Sequence, residues 1–231
     1  MKVIDTKRSS LYQTGRARRK CLKKFLYYFP GGYQGKKYIA WEREYKWNAH
    51  LAWKEKLNQQ VFKELLENKN YSEIARRAIT LESKTNLLFS FEKMALRDAV
   101  KTEAAAKSFS EGLYKFIYGT GIPEKRFERY RDMLASLPVR QTRVLTWPVL
   151  TIFGFIADPS RHIYLKPTVT RKAAEKYHFS FHYSSKPSWE TYQSLLLFAQ
   201  QVWKDTPAYR PRDLMDIQSF IWVMGSEEYP D

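Results

Sequence analysis

Cysteine is almost absent from this chain, which has one, Cys21, among 231 residues. A single thiol cannot form an internal disulfide, so the class of secreted proteins held together by disulfides is excluded, and a reducing, cytoplasmic compartment is expected. Glycine and proline are also scarce, at 9 and 10 residues, while hydrophobic residues make up 44% of the chain. This composition excludes collagen, low-complexity and intrinsically disordered chains and predicts a folded globular protein.

Long apolar runs are missing as well. The longest uncharged stretch, residues 144–157, has 14 residues and contains Pro148 and Gly154, whereas a membrane span needs about 20. We therefore expect no membrane span and interpret this stretch as a buried element of a soluble protein. A secretory signal is not expected either, because the first hydrophobic cluster begins only at Leu22.

Acidic residues are lacking where basic residues are densest. Lys and Arg total 40 against 24 Asp and Glu, which gives a net charge of +16. Residues 1–60 contain 15 basic and 4 acidic residues, whereas residues 181–231 contain 4 and 7. No acid occurs between Lys7 and Lys24. Solubility alone does not require so uneven a distribution, which indicates a negatively charged partner.

Aromatic residues are interleaved with this basic tract and follow directly after it. Cationic side chains contact phosphates, and flat rings stack on unpaired bases at about 1 to 3 kcal/mol each. We therefore predict a nucleic-acid-binding protein, of RNA or DNA, that holds the phosphate backbone, and we assign no catalysis. The predicted contact residues are Arg16, Arg18, Arg19, Lys20, Lys23, Lys24, Tyr27, Tyr28, Tyr33, Lys36, Lys37 and Arg43. Lys7, Arg8 and Tyr12 belong to the same tract.

Other partners also fit a basic tract of this kind. It can be a solvated tail, or part of an interaction module that docks on an acidic protein. Beside the rings of residues 25–29 it can also lie on an anionic membrane surface. A second basic group occurs in the middle of the chain, and the two groups would form one cationic channel if they lay side by side. Its members are Arg126, Arg129, Arg131, Arg140, Arg143, Arg161, Lys166, Arg171 and Lys172.

Hydrophobic periodicity predicts a mainly α fold. Apolar residues recur at spacings of three and four over residues 37–68, which predicts one long helix with Tyr38, Trp41 and Tyr45 on its buried stripe. The pattern also predicts helices over residues 71–82, 86–101, 102–118, 124–137, 147–157, 171–176, 189–204 and 211–224.

The helical pattern is interrupted in the C-terminal third. Residues 162–166 and 177–183 are rich in β-branched or aromatic residues, and the second segment alternates rings with polar residues, so both are predicted to be short strands. The expected fold is a helical domain with this small β element. We predict a basic, partly flexible arm over residues 1–35 and one globular domain over 36–231, with a candidate subdomain break at 119–123.

An enzyme acting on nucleic acid is the alternative function, and a nuclease needs carboxylates that converge on a metal ion. Asp213 and Asp216 lie three apart on a predicted helix, and Glu44 begins a Glu-x-Lys spacing. The same two aspartates are typical of a helix N-terminus, where they interact favourably with the helix dipole. We favour this second interpretation.

Other patterns that indicate chemistry are weak. His178 and His182 would lie about 13 Å apart along a strand, too far to bind one metal ion, even with His162 and Asp158 upstream. Cys21 lies among cations that favour a thiolate, but no base or oxyanion site accompanies it. The glycines of residues 31–37 lack the spacing of a phosphate-binding loop. We therefore predict no metal and no cofactor.

Four segments resemble parts of uncharacterised bacterial proteins of similar length. They are residues 41–47 (WEREYKW), 85–95 (TNLLFSFEKMA), 144–148 (VLTWP) and 213–222 (DLMDIQSFIW). The resemblance covers most of the chain and implies a bacterial, cytoplasmic protein. It implies no activity, cofactor or site.

Overall fold

The computed structural model describes the backbone of residues 2–231 and the side chains of residues 13–231, so the side chains of Lys7, Arg8 and Tyr12 lie outside the described part. Within that part every regular element is helical. The α-helices are α1 Lys2–Tyr28, α2 Lys36–Tyr38, α3 Glu44–Lys56, α4 Gln59–Glu67, α5 Tyr71–Glu82, α6 Ser90–Ala99, α7 Glu103–Tyr118, α8 Pro123–Ser136, α9 Trp147–Ala157, α10 Pro167–Lys176, α11 Trp189–Asp205 and α12 Leu214–Gly225. A π-helical turn spans Ile39–Arg43, and 3-10 turns span Gly32–Gln34 and Pro207–Tyr209.

The small β element predicted in the C-terminal third is wrong, because neither predicted strand pairs with another in the described residues. Residues 162–166 have no regular secondary structure, and two of their backbone N–H groups donate to side chains of neighbouring helices. The N–H of Ile163 donates to Tyr192 Oη at 3.2 Å, and that of Leu165 donates to Thr151 Oγ1 at 3.0 Å. Hydroxyl groups on α9 and α11 thus replace the partner strand.

Residues 177–183 keep the alternation that predicted a strand. Their rings are buried or half-buried, and the polar residues between the rings are exposed or nearly so. His178 has a φ of 51°, which turns the chain after α10, and the backbone N–H of His182 donates to Ser194 Oγ on α11 at 3.0 Å. The period-two pattern therefore predicts correctly which side of the segment is buried, but that side packs against a helix and not against a second strand.

The single helix predicted over residues 37–68 is divided. α3 ends at Lys56, and Asn58 begins α4 by accepting the backbone N–H of Val61 with its side chain at 3.0 Å. Asparagine is a preferred N-cap residue because its side-chain oxygen satisfies an N–H that the helix leaves unpaired. This cap starts a new helix, although the apolar residues continue at helical spacing across the break.

The π-helical turn at Ile39–Arg43 changes which side of the chain faces the core. A π turn contains more residues than an α turn, so the positions after its start are rotated relative to a regular helix. Trp41, which was predicted to be buried, is 57% exposed, whereas Glu42 and Arg43 are buried. The turn therefore carries charged side chains into the interior.

The uncharged stretch was predicted to be a buried element with a helix over residues 147–157, and both predictions are confirmed. α9 is buried from Trp147 to Ile156 and packs against α3, α5, α7 and α8. α5 spans the predicted residues, and α8 and α11 agree with prediction to within one residue at each end. Among the described helices, none is both long and apolar enough to cross a membrane.

Candidate nucleic-acid interface

The first helix has two sides of opposite character from Gln13 onward. Cys21, Phe25 and Phe29 are buried, and α1 packs against α10 and α12. Phe25 contacts the ring of Phe220 on α12, with 5.3 Å between ring centroids. Because these residues recur every four positions, they hold one stripe of the helix against the core.

The opposite side of α1 carries four exposed cations, which we call the basic face: Arg16, Arg19, Lys20 and Lys23. At 3.6 residues per turn these four positions lie within about 100° of the helix circumference. None of the four forms an ion pair with a described residue, whereas Arg18 and Lys24, the other two cations among the described side chains of α1, both do. The basic face is therefore available to a partner.

Two of the predicted phosphate-contacting cations on α1 are already paired. Arg18 forms an ion pair with Asp205 at 3.2 Å, and its guanidinium lies 5.4 Å from the centroid of the Tyr177 ring. Lys24 Nζ lies 2.7 Å from Asp231 Oδ1. These side chains tie α1 to the end of α11 and to the C-terminal segment, so a polyanion would have to displace a carboxylate to reach them.

A groove of about 1130 Å³ borders the basic face. Its other walls are formed by Lys176 and His178, at the end of α10, and by Pro230 and Asp231. Lys176 Nζ lies 2.7 Å from Asp231 Oδ2, so this carboxylate is shared between Lys176 and Lys24. The two lysines hold the pKa of Asp231 down to about 2 by donating hydrogen bonds to it.

The predicted stacking residues of this region differ in exposure. Tyr27 is 79% exposed and lies on the same side of α1 as the basic face, one turn beyond Lys23. Tyr28 is half-buried, and its hydroxyl donates to the carbonyl oxygen of Pro230 at 2.6 Å. Tyr27 is therefore the ring beside the basic face that is open to a base.

Lys36 and Lys37 are exposed, as an interface requires. Lys37 Nζ lies 4.5 Å from the centroid of the Trp41 ring and 5.9 Å from that of Phe29. The exposed Trp41 thus adds a ring beside a predicted cation. The sequence pattern assigned Trp41 to the core, because the π-helical turn leaves no mark in the spacing of apolar residues.

Tyr33 and Arg43 are not on the surface. Tyr33 is fully buried, with its ring 4.9 Å from that of Phe25. Arg43 binds Asp213 through both terminal nitrogens, at 2.6 and 2.8 Å, and also contacts Asp216 at 2.9 Å. These two residues belong to the interior and cannot contact a polyanion while the described fold is intact.

The two aspartates of the alternative enzyme hypothesis are held in the same cluster. Asp213 caps α12 by accepting the backbone N–H groups of Met215 and Asp216. Asp216 is fully buried and accepts hydrogen bonds from Tyr38, at 2.7 Å, and from Arg212. The helix N-terminus interpretation is therefore confirmed for Asp213.

No carboxylate site for a metal ion is assembled in the described residues. Glu44 is exposed and lies outside the aspartate cluster. No three His, Cys, Asp or Glu side chains in the described part of the chain are grouped so as to hold a metal ion. The buried Asp216 and the half-buried Asp213 instead neutralise Arg43 and Arg212.

A second buried polar cluster was not predicted from the sequence. Lys46 Nζ donates to Glu42 Oε2 at 3.2 Å and to Ser219 Oγ at 2.8 Å. The hydroxyl of Tyr229 donates to Glu42 Oε1 at 2.6 Å. The four-residue spacing of Glu42 and Lys46 was visible in the sequence, but such pairs usually lie on a solvated helix face.

Cys21 is buried in the core, and the histidines of the predicted motif differ in exposure. Burial raises the pKa of the Cys21 thiol to about 11, and Sγ donates to the carbonyl oxygen of Lys176. The neighbouring lysines favour the thiolate, but this effect is smaller than that of burial. His178 and His182 are exposed, whereas His162 is buried.

Comparisons of the chain with family models, curated proteins and solved structures give no match. The functional assignment therefore depends on the chemistry of the surface. On that surface the basic face of α1 is the densest group of unpaired cations within the predicted tract.

Proposed function

We propose that the chain binds nucleic acid through the basic face of α1. The observation that carries the proposal is the arrangement of Arg16, Arg19, Lys20 and Lys23, which share one exposed side of a helix and have no described ion-pair partner. Four cations in this arrangement meet a phosphate backbone without first breaking internal contacts. The apolar side of α1, packed on α10 and α12, keeps them in place.

Tyr27 supplies the contact to bases. It extends the basic face by one turn and is largely exposed, so a base can stack on it while the cations follow the backbone. Stacking on an aromatic ring tolerates any base. The proposal is therefore a binder of single-stranded RNA or DNA with little sequence preference, located in the cytoplasm. We assign no reaction to it.

The test is fluorescence anisotropy with a labelled single-stranded RNA of about 12 nucleotides, at salt concentrations from about 50 to 200 mM. The wild-type affinity falls as salt rises, because binding releases counterions. Changing Arg16, Arg19, Lys20 and Lys23 together to Gln reduces the slope of log affinity against log salt by about 3.

A matched control removes the same charge elsewhere. Lys54, Lys84, Lys115 and Lys125 are exposed, and none of them forms a described ion pair. Changing these four to Gln leaves the slope within about 1 of the wild-type value. Equal loss in both variants, or binding that does not depend on salt, contradicts the proposal, and so does the absence of any binding at the lowest salt concentration.

A further inference from the structure

A second groove, of about 810 Å³, lies between the start of α8, α11 and the loop at residues 158–162. It shares no lining residue with the groove beside α1. Its volume is within the range of about 300 to 1,000 Å³ that small-molecule sites occupy. We call it the α8–α11 groove.

Two nitrogen atoms of residues that line this groove are buried without a hydrogen-bond partner in the described residues. They are Nε2 of His162 and Nε of Arg126. The His162 residue is only 6% exposed. Buried polar atoms nearly always have a partner, and the unpartnered ones call for an explanation such as a ligand.

The contacts of His162 indicate what its free nitrogen does. Nδ1 lies 3.4 Å from the hydroxyl oxygen of Tyr192, which already accepts the backbone N–H of Ile163. Among the described residues Nδ1 is the one acceptor within reach of the Tyr192 hydroxyl proton, so the hydroxyl donates to Nδ1. In the neutral ring the proton is then on Nε2, so the unpartnered atom is a hydrogen-bond donor.

Positive charge gathers around this donor. Burial lowers the pKa of Arg126, and the charge of Arg161, a smaller cause, lowers it further. Both arginines also disfavour the charged form of His162, whose pKa burial lowers to about 4. Asp158 is the carboxylate that opposes them, and it is engaged by Arg161 and Ser160. The cluster is thus short of negative charge.

The rest of the α8–α11 groove is largely apolar and aromatic. Trp189 and Trp203, at the two ends of α11, both line it. Between them lies Leu197, which is 53% exposed although its side chain is aliphatic. A planar ring packed against Leu197 would remove part of this surface from water.

We propose that the α8–α11 groove binds a phosphorylated small molecule with a planar ring, the chemistry of a nucleotide. The phosphate is held by Arg126, Arg161 and the Nε2–H of His162, and the ring lies over the apolar surface on α11. Arginine suits this role because its planar fork matches the oxygens of a phosphate. The proposal is independent of nucleic-acid binding by α1.

The test is isothermal titration of the full chain with adenosine 5′-monophosphate, adenosine and inorganic phosphate in turn. We expect the monophosphate to bind most tightly, because it alone engages both halves of the groove. Arg161→Gln should weaken its binding by about tenfold or more, since a charged hydrogen bond is lost. Arg161 is suited to this change because its side chain is 55% exposed and its loss leaves no buried cavity.

The matched control is Arg129→Gln, on α8 and exposed but outside the groove, which should leave the affinity within about twofold. A second readout follows the ring protons of His162 by NMR: bound phosphate should raise the pKa of His162, since an opposite charge favours the protonated form. A 5′-phosphorylated trinucleotide carries a phosphate and a base at the end of a strand. Whether it or adenosine 5′-monophosphate binds more tightly shows whether the phosphate belongs to a strand end or to a free nucleotide.

Three results would overturn the proposal. The first is the absence of binding at millimolar nucleotide, and the second is equal affinity for adenosine and its monophosphate. The third is an equal effect of the Arg161→Gln and Arg129→Gln changes. Salt-dependent RNA binding by the α1 quadruple variant is measured separately, so failure here does not bear on the function of α1.

Discussion

Arg43 and Asp213 form a bidentate ion pair in the interior, with Nη1 and Nη2 each bonded to one carboxylate oxygen. The pair joins the π-helical turn to the first residue before α12. Asp216 accepts a further bond from the same guanidinium. One arginine thus links two segments that are 170 residues apart in the sequence.

We expect Arg43→Met to lower the free energy of unfolding by about 3 to 5 kcal/mol, because the change leaves the buried Asp216 and the half-buried Asp213 short of a partner. Urea unfolding monitored by circular dichroism measures the loss. Lys37→Met, which removes an exposed cation close by in the sequence, should cost less than about 1 kcal/mol. Similar losses for the two variants would mean that the buried pair has no special role.

Tyr27→Ala should weaken the binding of single-stranded RNA by about 1 to 3 kcal/mol, the free energy of one stacked base. Tyr27→Phe keeps the ring and should retain the affinity. Anisotropy titrations of both variants against one RNA provide the comparison. If Phe fails to restore what Ala removes, the ring does not act by stacking.

Asp231→Asn should strengthen RNA binding, because Lys24 and Lys176 then lose the carboxylate that they share and become available to phosphate. The affinity should rise, and the salt dependence should become steeper by about 1 to 2. Asp132→Asn, which also removes one exposed carboxylate but lies on α8 beside Arg131, is the control. An unchanged affinity for the Asp231 variant would place the RNA away from this end of the groove.

The two glutamates of α5 should respond to pH with opposite signs. Burial raises the pKa of Glu82 to about 7; its Oε1 has no hydrogen bond and lies 3.9 Å from Lys93 Nζ. Between pH 4.5 and 7 the unfolded chain ionises this group while the folded chain keeps it protonated, so its contribution to stability falls as pH rises. Glu82→Gln should therefore stabilise the protein most above pH 7, and it should have almost no effect on stability below pH 4.5.

Glu73 provides the comparison, because hydrogen bonds from Arg76 and Arg77 lower its pKa to about 2. Its stabilising contribution is present above pH 4.5 and is lost as pH falls towards 2, so Glu73→Gln should destabilise the protein at neutral pH. Urea unfolding of both variants at several pH values gives the two curves. Curves of the same sign would refute the assignment.

The sequence predicted which residues are buried better than it predicted which elements cover them. The uncharged stretch became the central helix α9, and the rings of residues 177–183 are covered on the predicted side. The strand predicted over residues 162–166 was wrong because its backbone N–H groups do not pair with a second strand. Two of them donate instead to the hydroxyl groups of Thr151 and Tyr192, which lie on helices. No local pattern encodes such a contact.

The candidate interface shows the same limit of prediction from the sequence. Helical spacing alone is enough to place Arg16, Arg19, Lys20 and Lys23 on one side of α1. The same tract gave no sign that Arg18 is paired with Asp205, or that a π-helical turn carries Arg43 inward. Charge density is visible in the sequence, whereas the position of the opposing carboxylate depends on the fold.

The packing of α1 against α10 and α12 sets the spacing of whatever its exposed side contacts. From Arg16 to Lys23 the helix advances by about 10 Å, at 1.5 Å per residue. The cations of the basic face are held at fixed spacings, so a flexible strand must adjust the positions of its own phosphates to them. The strand therefore contributes most of the entropy lost on association. Duplexes, which are too stiff to adjust, should for that reason be the poorer ligands.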